Sequence, residues 1–143
     1  MRSITARWTL LGVVLIATVV YGGRGLVHAV RAAGAGRVHT VFSAQLPNVP
    51  GKTLTAVVVE YAPGGSSTAH RHAGSVFAYV LSGQIRSENS ATGPVRVYRA
   101  GETFFEASGS THLVSANASD TEPASLLAVF VADDHAQLTQ PAH

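Results

Sequence analysis

Residues 64–83 read GGSSTAHRHAGSVFAYVLSG, running from Gly64 to Gly83 with His70 and His72 on either side of Arg71. The stretch carries the marks of extended chain. Val76 to Leu81 is a short run rich in β-branched and aromatic residues, and serine and glycine close it at both ends. Side chains alternate across a strand, so Val76, Ala78 and Val80 share one face while Phe77 and Tyr79 take the other. By the same rule His70 and His72 point the same way, where both imidazoles can meet one ion, and Arg71 turns to the opposite surface. Imidazole suits Zn, Fe, Ni, Cu or Mn. Taken alone, such a pair reads equally as two surface histidines, so the surrounding sequence has to decide.

Outward from this stretch the same pattern repeats. Short β-rich segments fall at 37–46, 53–61, 67–72, 76–82, 84–89, 95–99, 103–106, 112–116 and 124–132. Between them stand turn signals such as Pro50-Gly51, Pro63-Gly64-Gly65, Ser82-Gly83, Gly93-Pro94, Ala100-Gly101 and Ser108-Gly109. Many short strands without interleaved helices predict an all-β sandwich or barrel. Beyond residue 36 only a turn after Asp133-Asp134 breaks the pattern. Phe77, Tyr79, Tyr98, Phe104, Phe105 and Phe130 are expected to pack in the core, although alternation turns Phe77 and Tyr79 away from the histidine side.

Two spacings set the histidines in a wider frame. Gly64 is followed by five residues, His70-Arg71-His72, three residues, Val76, six residues and Gly83. Gly101 is followed by five residues, Ala107, Ser108, Gly109, two residues, His112, and later Asn117. Over about 37–132 the chain resembles the cupin superfamily, whose two motifs are G-x5-H-x-H-x3/4-E-x6-G and G-x5-P-x-G-x2-H-x3-N. The resemblance implies a cupin jelly-roll barrel with a divalent metal held by His70, His72 and His112. The chain departs from the motifs at three places. Val76 stands where the family has its metal-binding Glu, Ala107 replaces the Pro, and Asn117 comes one place late. Some cupin dioxygenases are similar in using three histidines and no carboxylate. A neutral three-histidine face leaves the metal's charge uncompensated, with positions open to water, O2 or a chelating ligand, and so favours anionic ligands. Glu106 is the nearest candidate to replace the carboxylate, ahead of Glu60 and Gln84. Pointing inward it would serve as a ligand, a partner for a histidine or a general base; pointing outward it is a solvated carboxylate at the barrel rim. His28, His39, His135 and His143 have no ligand spacing.

The N-terminal third reads differently. Arg2 and Arg7 precede the uncharged run from Trp8 to Tyr21, and small residues follow at Val27-His28-Ala29 and Val30-Arg31-Ala32. This is the pattern of a secretory signal, and the run is short for a membrane span of about 20 residues. Residues 1–33 are therefore expected to be a signal peptide or membrane anchor with its linker, forming an N-terminal hydrophobic export or anchor helix. The barrel is expected over 37–135 and a tail over 136–143. This places the barrel outside the cytoplasm: periplasmic, secreted, or membrane-anchored facing the periplasm. The formal net charge of +2 also divides. Residues 34–143 carry six Lys and Arg against eight Asp and Glu. Without a basic stripe to neutralise phosphates, a nucleic-acid partner is not expected. The absence of cysteine excludes thiolate ligands and thiol nucleophiles.

Three functions fit the residues: a metal-dependent, dioxygenase-like small-molecule oxidoreductase; a non-catalytic module that captures a small molecule or metal; and a purely structural barrel. A lone small barrel has strand edges to cover, so a homodimer is also expected.

Overall fold

The computed structural model describes residues 34–142. The expected export or anchor helix lies outside the described residues. Eleven strands follow one another without a helix: β1 (Arg37–Gln45), β2 (Lys52–Tyr61), β3 (Ser66–Ser67), β4 (His70–His72), β5 (Ser75–Ser82), β6 (Gln84–Asn89), β7 (Gly93–Arg99), β8 (Thr103–Glu106), β9 (Thr111–Asn117), β10 (Ala124–Asp133) and β11 (Thr139–Pro141). They form two sheets, one in the order β1-β2-β10-β5-β8 and the other β11-β4-β9-β6-β7, with β3 also paired to β9. Every pairing is antiparallel. The architecture is the all-β barrel of two antiparallel sheets that the sequence predicts.

The core lies between the sheets because each strand buries alternate residues. Along β10, Ala124, Leu126, Ala128, Phe130 and Ala132 are all buried, and along β5 so are Val76, Ala78 and Val80. Val57 and Tyr61 of β2 and Ile85 of β6 complete the packed cluster. Burying each Val, Leu, Ile or Phe side chain of this set contributes about 1.5–3 kcal/mol, and each alanine less.

Three expectations need correction. The segment expected as one strand over 67–72 is two pieces, β3 and β4, both paired with β9. The gap at Thr68 and Ala69 faces Leu113 and Val114. There β9 holds one residue more than its other neighbour: Glu88 pairs with Val114 but Asn89 pairs with His112. This bulge lifts Leu113 out of register. Second, the expected tail contains β11, whose Thr139 to Pro141 pair with His72 to His70. Without it β4 would be a bare edge, and Pro141, which has no N–H to donate, suits an outermost strand.

The third correction concerns the aromatics. Phe130 is buried and Tyr98 and Phe104 are half-buried, but Phe77 is 45% exposed and Phe105 52%, with Tyr79 also exposed. Alternation outweighs side-chain hydrophobicity here. The exposed rings stand on the outer face of the first sheet, where direct cross-strand partners form the row Phe42, Ala56, Val129, Phe77, Phe105.

Two glycines fit the sheets together. Gly83 has φ +67° as the chain passes from β5 to β6, and a Cβ there would lie 2.5 Å from the Pro123 carbonyl oxygen. At Gly74, between β4 and β5, a Cβ would meet the Val131 carbonyl oxygen at 2.0 Å. Neither position admits a side chain without moving backbone.

Candidate metal centre

His70 and His72 are two apart on β4, and His112 is the direct partner of His70 on β9. Strand alternation and cross-strand pairing therefore bring three imidazoles to one spot, with ring centroids 4.7 Å apart for His70–His72 and 5.1 Å for His70–His112. One nitrogen from each lies within 4.8 Å of the others. The bulge at Leu113 matters for this arrangement. His112 and Asn117 are five apart, which in a regular strand would put them on opposite faces, yet both are buried.

Each ring is held through a nitrogen that faces the protein. His70 Nδ1 donates to the Thr68 carbonyl at 2.7 Å. His72 Nδ1 donates to the Leu138 carbonyl at 3.2 Å, with Thr139 Oγ1 equally close. His112 Nε2 is hydrogen-bonded to the Ser87 hydroxyl at 2.9 Å. Such contacts set the tautomer and orientation of metal-binding histidines. Segment 138–139, read from sequence as tail, thus supports the site, and so does Ser87. The sequence carries a trace of Ser87's part: Ile85, Ser87 and Asn89 alternate inward on β6, and two of the three are polar.

Glu106 faces inward. Its residue is 4% exposed, which settles the rim alternative against it. Oε1 lies 3.1 Å from His112 Nδ1 and Oε2 lies 3.7 Å from His72 Nε2. Asn89 Nδ2 donates to Oε2 at 3.2 Å and to Ser110 Oγ at 2.9 Å. Despite its distance, His112 Nδ1 is not aligned for a hydrogen bond with Glu106 and is left as a buried nitrogen without a partner. Glu60 is exposed on β2 and Gln84 is exposed on β6, so neither reaches the site.

Burial lowers the pKa of His70 below 6.5, outweighing the hydrogen bond to Thr68, and burial likewise lowers His72 despite the attraction of Glu106. Burial alone would raise the Glu106 carboxyl. The adjoining His112 and the electrostatic attraction of the histidine group outweigh it and hold the carboxyl below the usual carboxylate range. Near neutral pH His70 and His72 are thus held neutral beside an ionised Glu106, the protonation states that metal binding needs. With the orphaned His112 nitrogen, this donor set fits a divalent metal ion.

The centre opens into a cavity of about 730 Å³ between the sheets. Its walls include Val57, Val59, Val76, Leu126, Ala128 and Phe130. Among the described residues no Lys or Arg lines it. Glu106 supplies a carboxylate beside the histidines, so the donor set is not the carboxylate-free one expected from the sequence. A small polar group sits within the apolar walls, where Tyr61 Oη is hydrogen-bonded to Ser67 Oγ and Ser115 Oγ, each at 2.8 Å.

Residues 57–130 match the family model described as "Cupin domain". No curated protein matches the chain. Solved structures similar to it include a conserved protein with a double-stranded β-helix domain from Klebsiella pneumoniae subsp. pneumoniae MGH 78578. That protein is 22% identical, with 76% of this chain and 85% of the other covered and a TM-score of 0.58. A cupin domain from Bordetella pertussis Tohama I is 15% identical, with 68% and 94% covered and a TM-score of 0.53. A recombinant oxalate oxidase in complex with glycolate is 25% identical over 66% of this chain and 50% of its own length, with a TM-score of 0.52. The family match spans more than half of the sequence and meets the same fold in the coordinates: the chain belongs to the cupin domain family.

Proposed function

We propose that this cupin holds a divalent metal ion through His70, His72 and His112 and acts on a small, largely apolar molecule as a dioxygenase-like oxidoreductase. The observation that carries the reading is the convergence of three half-buried or buried imidazoles, each oriented by a protein partner, in the lining of a largely apolar cavity. When bound, the metal supplies Lewis acidity and redox or O2-directed chemistry, according to its identity. The chain's own residues do the rest. The aliphatic walls exclude water and select apolar surface. The Tyr61–Ser67–Ser115 hydroxyls offer a hydrogen-bonding anchor, and Glu106 places an ionised carboxylate beside the histidines.

The oxalate oxidase resemblance supports oxidative chemistry, but its small dianion fits this cavity poorly. Beyond the metal itself no Lys or Arg among the described residues lines the cavity, so a dianion would be met by the ion alone, beside Glu106 and apolar walls. A neutral or singly charged molecule with one oxygen donor fits better. Two measurements test the proposal. Metal analysis of the full chain should find about one divalent ion per protein, lost when all three histidines become alanine; full retention in that variant sinks the metal site. Oxygen uptake with a panel of small apolar enols and phenols should then show turnover. Metal binding without any uptake would favour instead a module that only captures its ligand.

We also propose, from the basic and apolar N-terminal segment, that the barrel works outside the cytoplasm, with the membrane as partner if the segment stays attached. Mass spectrometry of the protein from cell fractions tests this: recovery in the cytoplasm alone overturns it.

A further inference from the structure

The carboxylate that the cupin motif places at position 76 is absent from β5, where Val76 stands. Val76 has two direct cross-strand partners: Phe130 on β10 and, on β8, Glu106. Direct partners in an antiparallel pair project to the same face with Cβ atoms about 4.5–5.5 Å apart. Both side chains are buried, Val76 at 1% and Glu106 at 4%. We infer that the carboxylate ligand of this cupin has moved across the β5–β8 ladder, so that Glu106 completes the metal centre from the neighbouring strand. The inference rests on the three-histidine site proposed above.

Three observations support a ligand role over a merely structural one. First, Glu106 Oε1 lies 3.1 Å from the open nitrogen of His112 and Oε2 lies 3.7 Å from that of His72, one carboxylate oxygen beside each ring. Nitrogen and oxygen ligands sit about 2.0–2.2 Å from a metal ion, so neighbouring ligands stand about 3.0–3.4 Å apart, close to the spacings seen. Second, the shorter contact is the wrong shape for a hydrogen bond: His112 Nδ1 is buried and unpaired although the carboxylate oxygen is within reach. A cation between the two atoms satisfies both. Third, among the described residues Glu106 has no Lys or Arg partner, only the histidines. A buried carboxylate without a counter-charge is strongly disfavoured, and a bound metal ion removes that penalty. Asn89 steadies the side chain through Oε2, much as a neighbouring amide orients a ligating carboxylate. The relocation also accounts for a sequence that keeps all three histidines in register while placing valine at the motif's acidic position.

The test uses the full chain, with cobalt(II) and manganese(II) as probes followed by calorimetry and, for cobalt, visible absorption. Glu106→Gln is isosteric and should still fold; it should weaken the metal at least about tenfold and shift the cobalt spectrum, and Glu106→Val should weaken it further. The exchange variant Val76→Glu/Glu106→Val, which returns the carboxylate to the motif position, should regain affinity to within a few-fold of the parent. Unchanged affinity and spectrum in Glu106→Gln would overturn the inference, as would an exchange variant that folds but binds no more tightly than Glu106→Val. If the exchange variant does not fold, the Gln result alone decides. The two failures are distinguishable. Loss of metal in the triple His→Ala variant alone leaves the three-histidine site standing without Glu106, whereas a parent chain that binds neither metal removes both readings.

Discussion

Asn89 shows how much a single amide can hold. It donates to Glu106 and to Ser110, and its side-chain oxygen accepts the Ala91 amide. In Asn89→Ala these groups lose their partner inside a buried site, which should cost about 1–3 kcal/mol of stability. Because the carboxylate is no longer steadied, metal affinity should fall as well, so melting with and without added metal reads both effects. The ionisable residues make a second prediction at this scale. In the metal-free protein His70 and His72 titrate below 6.5 when folded, whereas the unfolded chain takes up protons near that value. Between the two, the unfolded state binds more protons, so stability is full above 6.5 and declines as the pH falls toward the folded values. Glu106, held below its usual 4.5, adds a further loss as pH falls through its folded value. Urea titrations of the metal-free chain at stepped pH should show stability decreasing on acidification from neutrality; stability that rises on acidification from 7 to 5 would contradict the burial described for the two histidines.

At the scale of the element, β11 and β9 decide how the histidines stand. β11 covers β4, and the chain just before it supplies the Leu138 carbonyl that orients His72. A chain ending at Gln137 keeps both sheets apart from this edge strand but loses that orientation. It is expected to remain folded by circular dichroism while binding metal at least about tenfold more weakly. Equal affinity would show that His72 is oriented without β11. The H-x-H pair was legible because period-two alternation is a local property. The part played by 138–139 was not, since short polar stretches near a terminus give no signal of the strand they will join. The bulge in β9 was equally hidden. Its trace in the sequence was the late Asn117, but only the pairing with β6 shows that the extra residue is Leu113 and that His112 and Asn117 both stay inside.

Across the whole molecule, two apolar layers coexist on the first sheet, one against the core and one outside. They predict opposite responses to similar truncations. Ile85→Ala, at a fully buried site facing the same interior, should cost about 2–5 kcal/mol. Phe105→Ala, on the outer face, should stay within about 0.5 kcal/mol in the isolated barrel. Chemical denaturation of both variants checks the contrast, and a large loss at Phe105 would mean that the outer row is covered in solution. The all-β class, most strand positions, the inward set Val76, Ala78 and Val80, and the shared face of His70 and His72 were determined by the sequence alone, and the resemblance to cupins implied that His112 joins them. They follow from alternation, turn chemistry and motif spacing, each of which acts over a few residues. Tertiary structure alone decided which aromatic rings reach the core, that the C-terminal stretch closes the sheet at β4, and that Glu106 faces the histidines. Those outcomes depend on which strands become neighbours. Val76 and Glu106 are thirty residues apart in the chain, and only the β5–β8 ladder makes the carboxylate of one strand stand where the motif of the other left a valine.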